Sequence, residues 1–259
     1  MLGRKREKYI LSLQRKKVRD DQRLYIIEGD KIVREFLQSG RSIKILIAKP
    51  EFISGITMES RGIIDEIIPV SYNELKKVSS LKTPHNAMAV VPMPEITLNM
   101  DEITGTLCLA LDTIQDPGNL GTIIRAAAWF GIKDIICSGT CVDVYNPKTI
   151  QATMGSIMHV KVHYTGLDKF LGAASKEGMQ IYGTMLEGES VYVSALENRG
   201  VILLGNESRG ISDNLIPFIT RRLMIPRFTT ERSGIDSLNA GMAASIILSE
   251  FARRKKGQG

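Results

Sequence analysis

Cysteine, histidine and tryptophan are scarce in this sequence, with three, three and one residues among 259. Cys108, Cys137 and Cys141 form no Cys-x-x-Cys pair, which excludes a disulfide framework and a cysteine-based zinc motif. So sparse a set predicts buried thiols in a reducing compartment, and we therefore expect the cytoplasm.

Histidine offers no convincing metal pair either. His159 and His163 lie four residues apart, but the local run alternates with a period of two. That spacing predicts a strand with His159, Lys161 and His163 on one solvated face, and no metal is expected. No apolar stretch approaches the roughly 20 residues of a membrane span, and the first residues lack the apolar core of a secretory signal. We expect no membrane partner.

Three common enzyme motifs are also absent. The sequence has no Gly-x-Gly-x-x-Gly after a strand, no Gly-x-x-x-x-Gly-Lys-Ser/Thr and no Gly-x-Ser-x-Gly. Their absence argues against a nicotinamide enzyme, a P-loop enzyme and a hydrolase with a nucleophile elbow.

Positive charge is concentrated at the start of the chain. Residues 1–50 contain 14 Lys or Arg and 6 Asp or Glu, whereas the remainder contains 20 and 22. A local basic excess attracts nucleic-acid phosphates, although a solvated, solubilising helix is an equally simple interpretation. A basic helix is expected over residues 5–18.

The sequence predicts two domains of the α/β class. Prolines and scattered polar residues interrupt both periodicities between residues 92 and 104, as in a linker. We therefore expect one small α/β domain over residues 1–98 and a second domain over 104–259. In the second, strands and helices alternate, with one helix expected over residues 213–219. This alternation predicts a parallel sheet covered on both faces, with ligands at the carboxyl ends of its strands.

Three loops at those strand ends contain the residues of chemical interest. The first, residues 111–125, contains Gly118, Asn119, Gly121 and Arg125, and a helix is expected from about residue 121. An ordinary Asp-Pro-Gly-Asn turn before a capped helix is the simpler explanation of that loop taken alone.

The other two loops place polar residues directly after apolar strands. Residues 204–212 hold Glu207 between two glycines, although a solvated surface turn would also explain them. Residues 224–227 contain Ile225 and precede, after a polar stretch, a helix expected from Asn239 to Arg254. Asp236 or Ser237 could act there as a helix cap and nothing more.

Together these loops resemble the three motifs of the SpoU (TrmH) family of SPOUT-class RNA 2′-O-ribose methyltransferases. The match follows the family's order and rough spacing through residues 107–254. The matching positions are Asn119, Gly121 and Arg125, then Gly205, Glu207 and Gly210, then Ile225 and Pro226 followed by Ser237, Leu238 and Asn239.

The resemblance implies a fold and a cofactor. It implies a C-terminal SPOUT domain with a parallel sheet and a deep trefoil knot, preceded by a ribosomal-protein-like (L30e-like) domain that binds substrate RNA. It also implies a homodimer and S-adenosyl-L-methionine (AdoMet) as the methyl donor. The cofactor-binding positions that it indicates are Gly205, Ile225 and Leu238, with Thr184 and Asn239 as further candidates.

The resemblance further implies which residues take part in the reaction. Arg125, Asn119, Glu207, Ser237 and Asn239 are the catalytic candidates, with Arg125 acting at the ribose hydroxyl. A guanidinium remains protonated in proteins, so we expect Arg125 to stabilise negative charge and orient a phosphate that accepts the proton. The loop over residues 227–236 is longer than is usual in the family.

The substrate is less closely defined than the reaction. The N-terminal domain favours 23S rRNA, and a tRNA 2′-O-methyltransferase of the same family is the alternative. A non-catalytic RNA-binding module would be expected to lack the motif arginine or asparagine, yet both are present. A small-molecule enzyme using residues 118–121 as an anion site would leave the basic N-terminus unexplained.

Overall fold

The computed structural model of the chain describes residues 2–229 and 237–256. They form two compact units. Unit 1 comprises residues 1–95 and 143–158, and unit 2 comprises residues 96–142 and 159–259. Among the described residues, no helix combines the length and the apolar character needed to cross a membrane.

Unit 1 contains a four-stranded mixed sheet with helices around it. The strand order is β1-β4-β2-β3, in which β4 runs antiparallel to both β1 and β2, while β2 and β3 are parallel. In chain order its elements are α1 (Arg4–Ser12), α2 (Lys16–Gln22), β1 (Leu24–Glu28), α3 (Asp30–Gln38), β2 (Ile45–Ala48), α4 (Pro50–Ser54), α5 (Met58–Arg61), β3 (Ile67–Pro69), α6 (Tyr72–Val78) and β4 (Ala87–Pro92).

Local sequence explains where several of these helices begin. Ser71 caps α6 by accepting a hydrogen bond from the Glu74 amide, and the Glu74 carboxylate accepts one from the Ser71 amide. These bonds lower the pKa of Glu74 to about 2. The basic segment expected as one helix over residues 5–18 is two helices, because Arg15 adopts an extended backbone that separates α1 from α2.

A later segment of the chain also belongs to unit 1. Residues 143–158 contain α9 (Pro147–Thr153) and a short 3₁₀ helix (Ser156–Met158). Arg19 is only 2% exposed, pairs with Asp143 at 2.5 Å and donates to the carbonyls of Leu13 and Gln14. A buried arginine without such partners would be strongly unfavourable, so these bonds fix the segment against α2.

Unit 2 is built on a six-stranded sheet whose neighbouring strands are all parallel, in the order β10-β8-β9-β5-β6-β7. The predicted parallel sheet is therefore confirmed. In chain order its elements are α7 (Met100–Thr104), β5 (Leu107–Leu111), α8 (Pro117–Trp129), β6 (Asp134–Cys137), β7 (Lys161–Tyr164), α10 (Leu167–Lys176), β8 (Ile181–Ser190), β9 (Gly200–Leu204), a 3₁₀ helix (Asp213–Phe218), β10 (Arg221–Met224) and α11 (Ala240–Lys256).

The central strands of this sheet are apolar because both faces are covered. All of β9 is buried, and so is β5 from Cys108 to Leu111. One core cluster joins Cys108 and Val201 of these strands to Phe170 and Leu171 of α10. Because β5 and β9 are neighbours in register, the loops that follow them emerge side by side at one edge.

Two local predictions for unit 2 were wrong. His163 is buried and bonded to Asp134 at 2.9 Å, so it does not share a solvated face with the exposed His159 and Lys161. The helix expected over residues 213–219 is a 3₁₀ helix, which contains Pro217. Proline cannot donate the backbone hydrogen bond that a longer α-helix would need there.

Candidate functional site

The first motif loop is shorter than the sequence suggested, because α8 begins at Pro117. Asp116 caps this helix by accepting a hydrogen bond from the Asn119 amide at 2.8 Å, and Pro117 occupies the first turn. Asn119 and Gly121 are therefore helical residues. Gly121 is buried inside α8, so it does not offer its backbone to a ligand as a loop glycine would.

The second motif loop follows β9 and turns back on itself. The amides and carbonyls of Asn206 and Gly210 exchange hydrogen bonds of 2.9 Å. A Cβ atom on Gly205 would lie 2.3 Å from the Gly210 carbonyl carbon, so only glycine fits at position 205. The turn presents Glu207, which is half-buried, toward α8.

A chain of hydrogen bonds joins all three motifs. The side-chain Nδ2 of Asn119 donates to Glu207 Oε1 at 2.5 Å. The side-chain Oδ1 of Asn119 accepts from Asn239 Nδ2 at 2.7 Å. Asn239 Oδ1 in turn accepts from the Gly241 and Met242 amides, which caps α11. Ser237 Oγ contacts the Glu207 carbonyl at 3.5 Å, the outer limit for such a bond.

Arg125 lies two turns of α8 beyond Asn119. Its neighbours Ile123, Ile124 and Ala127 are fully buried, whereas Arg125 is exposed. It forms no hydrogen bond or ion pair with any residue in the described ranges 2–229 and 237–256. Its five N–H donors are consequently available to a substrate.

Among the candidate cofactor positions, Thr184 lies within β8, whereas Gly205 and Ile225 directly follow β9 and β10. Thr184 Oγ donates to the Leu203 carbonyl at 3.1 Å, and Gly205 directly follows β9. Ile225 follows β10 and is half-buried, while Leu238 is 43% exposed. Asp236 and the stretch 230–236 of the long loop lie outside the described residues.

A thiol next to the first loop has unusual acidity. Cys141 Sγ accepts a hydrogen bond from the Ile114 amide at 3.3 Å. Its pKa is lowered to about 7, chiefly by the hydrogen bond from Cys137, whose own pKa is raised by the same bond and by burial. Within the described part of the chain, no three His, Cys, Asp or Glu side chains are placed to hold a metal ion.

Two further polar residues hold the site together and were missed in the sequence. Asp112 is 3% exposed and binds the Ser212 amide at 2.8 Å, and Asn206 donates to the Thr113 carbonyl at 2.9 Å. Asp112 follows the apolar β5 just as Glu207 follows β9, so an acid directly after a buried strand was the available signal.

The chain is similar to several known RNA methyltransferases. The 23S rRNA (guanosine(2553)-2′-O)-methyltransferase RlmP of Bacillus subtilis is 33% identical over 175 residues, 68% of each chain. The mitochondrial rRNA methyltransferase 3 of Mus musculus is 29% identical over 150 residues, which span 56% of this chain but only 36% of that protein. An AdoMet-bound rRNA methyltransferase from Sinorhizobium meliloti superposes with a TM-score of 0.85 at 28% identity, covering 98% of this chain and 96% of that one.

Two family models match consecutive parts of the sequence. The MRM3-like substrate binding domain matches residues 5–89. The SpoU rRNA Methylase family matches residues 106–249, which contain the complete chain of hydrogen bonds from Glu207 through Asn119 to Asn239. On this match, which covers more than half of its length, the chain belongs to the SpoU rRNA Methylase family.

Proposed function

We propose that this protein transfers a methyl group from AdoMet to a ribose 2′-hydroxyl of ribosomal RNA. The observation that supports it best is the hydrogen-bonded chain Glu207–Asn119–Asn239, which joins the three motifs while Arg125 remains unpaired among the described residues. Ribosomal RNA is favoured over tRNA because RlmP and rRNA methyltransferase 3 are named for that substrate.

The residues at the strand ends suit AdoMet. Leu238 is a large apolar side chain left 43% exposed beside the polar Ser237 and Asn239, and an adenine ring would cover such a surface. Gly205 allows the chain at Gly210 to approach closely where β9 ends, which shapes the loop that would lie against the cofactor. We assign the cofactor to Gly205, Ile225 and Leu238, with Thr184 and Asn239 at the margins of the site.

When bound, AdoMet supplies an electrophilic methyl group. Arg125 would hold the ribose hydroxyl and stabilise the negative charge that develops on it as its proton leaves. A guanidinium is a permanent cation and therefore a poor base, so a substrate phosphate oriented by the same side chain accepts the proton. Glu207 adds a negative charge to a pocket that must hold two cations, the Arg125 guanidinium and the sulfonium of AdoMet. Asn119, Asn239 and Ser237 fix the position of Glu207.

Several finer features belong to the same proposal. We expect a homodimer formed through α8 and α11, because Trp129 is 84% exposed and Met242 is 61% exposed on these helices. The deep trefoil knot is part of the same proposal and rests on the SpoU rRNA Methylase family match. Residues 1–98, matched over 5–89 by a substrate-binding domain, would form the L30e-like RNA-binding domain. Buried thiols favour the cytoplasm.

Mapping ribose methylation tests the proposal directly. Ribosomal RNA from cells lacking the gene should lose one 2′-O-methyl group, and the wild-type gene should restore it. Glu207→Gln should restore it poorly, whereas Glu177→Gln, the same change at an exposed residue after α10, should restore it fully. AdoMet should bind the purified protein in the micromolar range, about 8 kcal/mol.

Two results would contradict the proposal. One is an unchanged pattern of ribose methylation in cells without the gene. The other is no detectable AdoMet binding at millimolar concentration. If tRNA rather than rRNA lost the modification, the reaction would stand and the substrate would be wrong.

A further inference from the structure

The loop that presents Glu207 is tied to the loop after β5 by two side chains that are not among the matching motif positions. These are Asp112, the first residue after β5, and Asn206, the residue before Glu207. The backbone adds one bond, from the Asp112 amide to the Leu204 carbonyl at 2.8 Å. The two loops are thus joined by both main-chain and side-chain hydrogen bonds.

Asn206 has two separable roles. Its Oδ1 accepts from the Ser208 and Arg209 amides at 3.0 and 3.1 Å, which closes the turn around Glu207. Its Nδ2 donates to the Thr113 carbonyl at 2.9 Å, which holds that turn against the neighbouring loop. Of the bonds that the Asn206 side chain forms, only the one to Thr113 connects the two loops.

Asp112 provides the second anchor. Its buried carboxylate accepts from the Ser212 amide at 2.8 Å and from the Thr113 hydroxyl at 2.9 Å. Thr113 itself has a φ of 57°, a left-handed conformation that is unfavourable for a β-branched residue. Such a conformation persists only where its surroundings fix it, and Asp112 and Asn206 contribute to this together with Ser138 and Thr140, which also bond to Thr113.

We propose that Asn206 and Asp112 are positioning residues that hold Glu207 within hydrogen-bonding reach of Asn119. This inference rests on the proposed function, because it concerns the rate of the same methyl transfer. Glu207 is anchored to α8 by a single side-chain bond of 2.5 Å, so its position depends on the loop that carries it. A displacement of about 1 Å at a reacting centre is enough to slow catalysis by roughly a hundredfold.

The substitution Asn206→Asp separates the two roles. Aspartate keeps an oxygen for the Ser208 and Arg209 amides but cannot donate to the Thr113 carbonyl. Ser208→Asp is the matched control, since it adds the same charge one position beyond Glu207 at an exposed residue. We expect Asn206→Asp to lower kcat by about tenfold to a hundredfold, with the AdoMet Kd changed by less than about threefold. Ser208→Asp should leave both close to the wild-type values.

A second variant covers the possibility that Asn206→Asp does not fold. Asp112→Asn keeps an oxygen for the Thr113 hydroxyl and replaces the one that accepts from Ser212 with an amide. The same split, a low kcat with a nearly normal AdoMet Kd and melting temperature, is expected. If both variants unfold, or lose AdoMet affinity and rate in parallel, the residues are merely structural and the inference is overturned.

The wild-type protein in the same assay distinguishes the two proposals. Normal wild-type methylation with an unchanged rate in Asn206→Asp overturns the positioning role alone. No methyl transfer by the wild-type protein overturns the proposed function, and the positioning role with it.

Discussion

Replacing Arg125 with alanine should leave the fold intact. The side chain is exposed and unpaired among the described residues, and substitutions at such positions change the free energy of unfolding by about 0.5 kcal/mol or less. For a chain of this size that corresponds to a change in melting temperature of about 2 °C or less. The neighbouring Ile123, Ile124 and Ala127 keep their buried contacts.

Arg19 provides the internal comparison for this stability argument. It is 2% exposed and pairs with Asp143, and its Nε has no hydrogen-bond partner within the described residues. Arg19→Ala leaves Asp143 without its cation, which costs about 3–5 kcal/mol. The melting temperature should fall by about 6–20 °C. The same substitution is therefore expected to leave stability nearly unchanged at Arg125 and to lower it strongly at Arg19.

Single-turnover methyl transfer measures the other half of the prediction. Arg125→Ala should slow the reaction by on the order of a hundredfold or more, as for other groups that stabilise developing charge. Arg125→Lys should be nearly as slow, because an ammonium does not reproduce the planar fork that binds a hydroxyl and a phosphate together. Normal rates in both variants, or unfolding of both, would refute the assignment.

Three further outcomes are expected. Asn119→Asp places a second carboxylate beside Glu207, and the repulsion between them raises the pKa of one of the two. The variant should therefore methylate poorly at neutral pH and recover in part as the pH is lowered. A pH profile parallel to that of the wild type would contradict this. Ser71→Ala should lower the free energy of unfolding by about 1 kcal/mol in a denaturant titration. The loss of stability in Glu74→Gln should be full at neutral pH and should shrink as the pH falls toward about 2, because the pKa of Glu74 is lowered in the folded protein. A pH-independent loss would exclude the Glu74 hydrogen bonds as its cause. Neutralising Arg4, Lys5 and Lys8, the exposed basic residues of α1, should weaken RNA binding and flatten its salt dependence. An unchanged salt slope, or an equal effect of neutralised lysines in unit 2, would contradict a role of these three residues in RNA binding.

Sequence patterns were sufficient for the parallel sheet of unit 2. Apolar runs such as residues 107–111 and 200–204 lie between helices, and they became adjacent, fully paired strands. Because parallel strands place their following loops at one edge, the sequence also located the ends of β5 and β9 beside each other, although it placed the start of α8 too late. Periodicity failed for His163, since its burial depends on Asp134, which is 29 positions earlier in the chain.

Long-range contacts account for what the sequence did not reveal. The assignment of residues 143–158 to unit 1 depends on pairs such as Arg19 with Asp143, separated by 124 positions, and Tyr25 with Tyr145. Nothing local in the later segment indicates those partners. Asp112 and Asn206 were missed for a related reason, because each looks like an ordinary turn residue until its partner on the other loop is known.

The amide side chain at position 119 explains how Glu207 and Arg125, which have opposite charges, can both belong to the site without pairing with each other. Asn119 donates to Glu207 and accepts from Asn239, a pair of roles that a carboxylate cannot fill because it has no donor. The partner of Glu207 is thus neutral, and no described residue pairs with Arg125. Had Arg125 been the partner of Glu207, RNA would have had to break a charge-assisted bond before it could bind. With the amide in that place, Glu207 is held in position and no described residue occupies the donors of the guanidinium.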